Sequence, residues 1–332
     1  MLILRRSDVT QTLAGREAEI IELVAEAYRL HDEGRTAVPH SIFLRFPEED
    51  HARDRVIGLP AYRGGERPAA GMKWIASWPG NVAAGMERAS ATVVLNSLEN
   101  GRPTAFLEGS VISAKRTAAS AALAARVLTE QAPPSGVTLI GCGVINLEIL
   151  RFLAAALPGL REAALYDKDP ARAASFAELC AAEVPGVKAT PVTDLSGALA
   201  GHPLVSLATT AAEPHLDLSD CAPGTTVLHV SLRDLTVETI LGADNIVDDA
   251  DHVCRERTSL DLAEQRTGGR DFVNASIGAL LRGTAVLERR PDRHVVYSPF
   301  GLGVLDIALA EYVRERAEDE GRGVRVDDFL AS

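Results

Sequence analysis

A chain of 332 residues exceeds the usual size of one hydrophobic core, so two domains are expected. Apolar residues at 46% and charged residues at 24% are ordinary for a globular protein, and a net charge of −12 argues against nucleic acid or an anionic membrane as partner. No apolar run approaches bilayer-spanning length, and Met1-Leu2-Ile3-Leu4-Arg5-Arg6 lacks the order of a signal peptide, so a cytoplasmic protein without membrane contact is expected.

Along the chain, residues 15–33 carry Ile20, Leu23, Val24, Ala27 and Tyr28 at helical spacing, and Gly34 follows as a stop signal. Short extended runs come next, at 41–46, 55–59 and 71–75. The pair at 91–96 and 103–107 flanks Asn100-Gly101, a dipeptide suited to a hairpin turn. An antiparallel sheet with one helix is expected for this region. Residues 113–128 read as an alanine-rich helix ended by Pro133-Pro134. Beyond it, strands near 137, 163, 187, 204, 226 and 246 alternate with helical segments, the pattern of a mostly parallel sheet covered on both faces. A further strand is expected at Val295-Val296-Tyr297. The last helix, 305–316, puts Leu305, Leu309, Tyr312 and Val313 on one side, and Glu318-Asp319-Glu320 reads as its solvated end. Cys142, Cys180, Cys221 and Cys254 form no C-x-x-C pair and the histidines no H-x-x-x-H pair, so buried thiols are expected and no disulfide framework or metal site. His229 ends an apolar run and reads as a packed histidine, with an approach to a cofactor as the alternative.

The stretch Val137-Thr138-Leu139-Ile140-Gly141-Cys142-Gly143-Val144-Ile145-Asn146 has the form of a dinucleotide-binding loop. Gly141 permits the tight turn, Gly143 lets backbone approach a pyrophosphate, and the following helix offers free N–H groups to the phosphates. Asn146 fills the third small position. A second strand ends at Asp167, where a ribose-binding carboxylate belongs; that acid favours NAD over NADP, although Lys168 beside it leaves the choice open. Four further positions invite chemistry. Lys73, between Met72 and Trp74 in an apolar strand, either faces solvent by alternation or serves a site. Arg116, among small residues at a helix start, suits a carboxylate or is a surface arginine. Asp234 follows the carboxyl end of a parallel strand, where ligands of such sheets bind, or caps the helix near Thr236. Gly301-Leu302-Gly303 allows a flat ring close to the backbone or is a plain turn.

The order of these segments resembles the ornithine cyclodeaminase and mu-crystallin family over nearly the whole chain. The matching pieces are Gly71-Met72-Lys73 followed by Pro79-Gly80-Asn81, then Lys115-Arg116-Thr117, Gly141-Cys142-Gly143, the strand leading to Asp234, and Gly301-Leu302-Gly303. The resemblance implies an α/β protein that forms a homodimer. Its Rossmann NAD-binding domain would span 129–301, and an α+β substrate and dimerisation domain would combine 1–128 with 302–332. It implies that Lys73 and Arg116, with Arg45, grip the substrate, and that Lys73 and above all Asp234, as acid/base, serve the chemistry. Cofactor contacts are implied for Gly141, Gly143, Val144, Ile145, Asn146, Asp167, Thr209, Ser231 and Gly301.

Phe43-Leu44-Arg45-Phe46-Pro47, Leu59-Pro60-Ala61-Tyr62, Lys73-Trp74-Ile75, Glu87-Arg88-Ala89-Ser90-Ala91, Leu107-Glu108-Gly109-Ser110, Ser231-Leu232-Arg233-Asp234 and Ser298-Pro299-Phe300-Gly301 are similar to the branch of that family that forms 2,3-diaminopropionate. Pro39-His40-Ser41 stands where cyclodeaminases carry an arginine, and Ile57 where they carry a glutamate; losing that acid argues against ornithine cyclisation. The implied reaction is NAD-dependent oxidative cleavage of a secondary amine joining glutamate to 2,3-diaminopropionate, for a siderophore or peptide antibiotic. Its three carboxylates call for several cations, with Arg88 and Arg233 as further candidates. Another amino-acid dehydrogenase or imine reductase, and a non-catalytic binding protein of mu-crystallin type, are the competing expectations.

Overall fold

The extended runs near the N-terminus join into one sheet in the computed structural model, which describes residues 1–51 and 54–330. In chain order the first elements are β1 (Leu2–Leu4), α1 (Arg6–Leu13), α2 (Glu17–Asp32), β2 (Thr36–Ala37), β3 (Ile42–Arg45), β4 (Arg55–Arg63), β5 (Ala69–Ser77), β6 (Ala89–Asn96) and β7 (Pro103–Glu108). Helix α3 (Ser110–Leu128) follows. Next come β8 (Gly136–Ile140), α4 (Val144–Ala156), β9 (Glu162–Tyr166), α5 (Pro170–Glu183), β10 (Lys188–Pro191), α6 (Leu195–Gly201), β11 (Leu204–Leu207) and β12 (Thr226–His229). The chain closes with α7 (Val237–Gly242), β13 (Asp244–Val247), α8 (Ala250–Val253), α9 (Ser259–Thr267), β14 (Val273–Ser276), α10 (Ile277–Arg282), β15 (Val295–Ser298), α11 (Gly303–Asp319) and β16 (Val324–Arg325). Two units result, Met1–Arg116 with Leu302–Ser332, and Thr117–Gly301; the first division falls inside α3.

The first unit holds a sheet in the order β16-β1-β7-β6-β5-β4-β2, with β3 also on β4. It differs from the expected antiparallel sheet with one helix: α1 is a second helix, and β1 runs parallel to β7. Asn100-Gly101 does turn the chain between β6 and β7, with Gly101 at φ +75°.

Strand alternation gives this sheet two unlike faces. Leu59, Lys73, Val93 and Leu107, in register across β4 to β7, are buried on one face. On the other, Ile42, Tyr62, Met72, Trp74 and Phe106 are exposed. Helix α11 packs on β4 and β5. It is not the one-sided amphipathic helix expected, because every residue from Gly303 to Ala310 is buried. Two glycines allow the close fit. A Cβ on Gly71 would lie 2.2 Å from the Val94 carbonyl oxygen and 3.2 Å from Ile307 Cδ1, and one on Gly303 would lie 3.1 Å from the Leu59 carbonyl oxygen. The end of α11 is paired rather than simply solvated, since Glu318 meets both Arg314 and Arg325.

The second unit is a doubly wound parallel sheet in the order β10-β9-β8-β11-β12-β15-β13-β14. Its expected strands are present; β14, half-buried and four residues long, is an addition. All four cysteines are free and buried, and burial raises each thiol's pKa. No helix among the described residues is long and apolar enough to cross a membrane.

Candidate active site

In the second unit, β8 delivers the glycine loop as a strand of five buried residues. Gly141 takes φ +93°, and a Cβ there would sit 2.6 Å from the Ala208 carbonyl oxygen, so both conformation and space require glycine. Gly143 caps α4 with no side-chain hydrogen bond, and a Cβ on it would meet nothing within 4 Å. First-turn N–H groups of Val144, Ile145 and Asn146 have no partner within their helix, and Val144 is exposed. The Asn146 side chain does not face outward. It is buried, its Nδ2 donating to the carbonyls of Ile140 (3.0 Å) and Gly141 (2.7 Å) and its Oδ1 accepting from Ser206 (2.8 Å), so it braces the loop from below and offers a ligand only its backbone. Asp167 accepts from the N–H groups of Cys142 (2.8 Å) and Asp169 (3.1 Å). Arg172, missed in the sequence, donates to the Cys142 carbonyl at 3.1 Å and lies 3.9 Å from Asp167. Open space over Gly143, free N–H groups at a helix start and an acid past the second strand together fit a dinucleotide.

Asp234 lies past the end of β12, fully buried. It does not cap α7; Thr236 does. Its carboxylate accepts hydrogen bonds from the Thr209 and Ser231 hydroxyls and lies 3.5 Å from His229 Nε2. Thr209 and Ser231, expected to touch a cofactor, therefore direct their side chains at Asp234. His229 is packed, as expected, and touches the acid: its Nε2 accepts the Asp234 N–H at 3.2 Å, and its Nδ1 faces Ser298 Oγ at 3.2 Å. An accepting Nε2 places the ring proton on Nδ1. Burial lowers the His229 pKa, which keeps the ring neutral. For Asp234, burial works upward, while the hydrogen bonds donated by the Ser231 and Thr209 hydroxyls hold its pKa below the usual carboxylate value. It is therefore ionised, the form in which a carboxylate can accept a proton. Leu232, two residues earlier, is buried at φ +68°, a strained backbone costing about 1–2 kcal/mol. Gly301 takes φ +93°, and its N–H and that of Phe300 donate to the buried Asp248 carboxylate at 2.7 and 2.9 Å.

The first unit holds the cations. Lys73 points into the buried face, where its Nζ donates to Asp306 Oδ2 at 2.7 Å and Ser113 Oγ at 3.1 Å. Arg116 Nε donates to the other oxygen of Asp306 at 3.1 Å. Asp306 is fully buried and Lys73 is 1% exposed. Burial and the Arg116 charge lower the Lys73 pKa to about 8, against the pull of Asp306. Two cations against one anion leave one net positive charge. Arg45 is not part of this cluster. It is exposed at the end of β3, over the Phe43 ring at 5.4 Å, and register places it level with Ser77, four residues from Lys73. Arg233 Nη2 donates to the Glu256 carbonyl at 2.7 Å.

Residues 1–321 match the ornithine cyclodeaminase/mu-crystallin family model. The chain belongs to this family. It is 27% identical to an N-((2S)-2-amino-2-carboxyethyl)-L-glutamate dehydrogenase of Staphylococcus aureus over 98% of each chain. An archaeal alanine dehydrogenase dimer with bound NAD superimposes with a TM-score of 0.87 at 25% identity, over 99% of each chain. The Thermococcus litoralis Delta(1)-pyrroline-2-carboxylate reductase, solved with NADH and L-proline, shares the fold at 24% identity and a TM-score of 0.89, covering 98% of this chain and 100% of that one.

Asp306 is the site residue that sequence reasoning missed in this family member. Its signal was present: it stands three residues before Leu309 and seven before Val313, on the apolar stripe of the last helix. Among the described residues no group of three or more His, Cys, Asp or Glu is placed to hold a metal. Replacing Asp306 by Asn keeps the shape but leaves two buried cations without an anion. Urea unfolding of Asp306→Asn should show a loss of about 3–5 kcal/mol; a loss below about 1 kcal/mol would mean the carboxylate does not hold this cluster together.

Proposed function

We propose that this protein is an NAD-dependent oxidoreductase that cleaves N-(2-amino-2-carboxyethyl)-L-glutamate to 2-oxoglutarate and L-2,3-diaminopropionate, a precursor for a siderophore or peptide antibiotic. The observation that carries the reading is the Lys73–Asp306–Arg116 cluster, whose net positive charge suits an amino-acid carboxylate. The S. aureus relative, aligned from end to end, supports the specific substrate.

The amine, water and NAD yield 2-oxoglutarate, 2,3-diaminopropionate, NADH and a proton. Bound NAD supplies the hydride acceptor for the glutamyl α-carbon. On this chain, the N–H groups of Val144, Ile145 and Asn146 beside Gly143 are positioned for the pyrophosphate and Asp167 for a ribose, with backbone at Thr209, Ser231 and Gly301 as further contacts. Arg116 keeps both terminal NH₂ groups for a substrate carboxylate, because Asp306 takes only its Nε. Lys73 adds the second cation. Asp234, the acid/base implied by the family resemblance, would take a proton from the bridging amine, pass it to solvent, and take one from the water that adds to the imine. Ionised at rest, Asp234 also favours the positive charge that develops as hydride leaves. An amino-acid dehydrogenase acting on alanine is the second reading, favoured by the likeness to the archaeal dimer and by the fact that one carboxylate would satisfy the Lys73–Arg116 pair.

The exposed face of the first sheet, with Ile42, Met72, Trp74 and Phe106, is an apolar patch suited to a second copy of the chain.

With NAD and the coupled amine, the protein should form NADH and 2-oxoglutarate in equal amounts, and Asp234→Asn should slow this about a hundredfold or more. Turnover of alanine without turnover of the coupled amine would move the protein to the second reading. In sedimentation velocity the protein should run as a dimer and Trp74→Glu as a monomer; a Trp74→Glu dimer would place the interface elsewhere.

A further inference from the structure

We propose that Arg88 binds a second carboxylate of the substrate, making the site face of the first sheet selective for polyanionic amino acids over monocarboxylate ones. The inference rests on the activity proposed above and assigns the residue that sets its substrate class.

Arg88 stands just before β6, where its carbonyl accepts the Trp78 N–H at 2.8 Å and closes the end of the β5–β6 pair. Its side chain is half-buried, yet the one polar side-chain atom it meets among the described residues is Ser77 Oγ, at 3.5 Å, the outer limit of a hydrogen bond. Burial alone pulls its pKa below the usual arginine value, with no carboxylate opposing it. The neighbouring acid, Glu87, is taken by Arg6 at 2.7 and 2.8 Å. Three buried basic groups of this unit have acids: Arg63 has Glu26 at 2.7 Å, and Lys73 and Arg116 share Asp306. A guanidinium withdrawn from water without an anion is a cost to the fold, offset when a ligand brings the anion.

The placement fits an extended substrate. Ser77 points to the same face of β5 as Lys73, four residues further along, or about 13 Å at the rise of a strand. With Lys73 ending on Asp306 and Ser113 and Arg88 at Ser77, a ligand that meets both cations has to be extended, as a glutamate-containing substrate is. Register brings Arg55 and Arg45 level with Ser77 on the same face. A planar guanidinium can take a carboxylate through two parallel hydrogen bonds, which a water-filled surface position would not reward as strongly.

The test measures binding of 2-oxoglutarate and of pyruvate to the NADH-saturated protein, in wild type, Arg88→Met and Arg88→Lys. Both ligands carry a 2-oxo acid, and only the first has a distal carboxylate. Arg88→Met should weaken 2-oxoglutarate roughly tenfold to a hundredfold while leaving pyruvate within about twofold, and Arg88→Lys should restore part of the difference. An unchanged ratio of the two affinities, whether both fall together or neither falls, would overturn the assignment. Because binding is read without turnover, a protein that fails to cleave the coupled amine would count against the proposed activity, while the affinity ratio would still decide the role of Arg88.

Discussion

One buried carboxylate, Asp306, holds the two cations proposed to bind a substrate carboxylate. An acid on the buried, otherwise apolar first half of α11 is costly, and so are a lysine and an arginine on the facing elements; each becomes tolerable because the others are there. The arrangement needs α11 to lie close on β5, and that closeness comes from backbone: Gly71 and Gly303 remove the two Cβ atoms that would hold helix and sheet apart. Asp306 binds by its two oxygens, one to each cation, so Lys73 and Arg116 are pre-oriented before a ligand arrives. The surplus positive charge is then available at a fixed place, with little side-chain freedom left to lose on binding.

The nucleotide-binding unit follows the same logic with opposite charge. Asp234 is surrounded by groups that stabilise its ionised form, and a neutral His229 locks the turn from behind by accepting the Asp234 N–H. That turn passes through Leu232 in a left-handed conformation, a strain that persists because the leucine side chain is buried and the flanking hydrogen bonds fix it. The outcome is an ionised carboxylate at the position where the sequence suggests a base. Lys73 is brought down toward neutrality by its burial and by the Arg116 charge.

How much of this could be read from the sequence depended on whether the determining force was local. The loop from Gly141 to Gly143 was legible because turn conformation and helix start are properties of a few consecutive residues, and Asp167 followed from its spacing. Strand β1 was not, since three residues carry too little periodicity and its parallel pairing with β7 is fixed only by tertiary packing. Lys73 illustrates the boundary. Alternation required it to lie opposite Met72 and Trp74, but which of the two sets faces inward is decided by where α11 packs. Asn146 was placed by size, whereas its amide is there for the carbonyls of Ile140 and Gly141. Arg172 and Asp248 sit in segments with no pattern of their own and become visible only through the backbone groups they meet.

The central claim is that a positively charged Lys73, paired with Asp306, contributes to holding a substrate carboxylate. It is tested most directly by 2-oxoglutarate affinity as a function of pH, because that ligand has no ionisation between about pH 6 and about 10. Lys73 has a lowered pKa of about 8, so the cation is present below that value and lost above it. Affinity should therefore be constant up to about pH 7 and weaken about tenfold by about pH 9, with the alkaline loss absent in Lys73→Arg. An affinity that stays flat to about pH 10 in the wild-type protein would contradict the account.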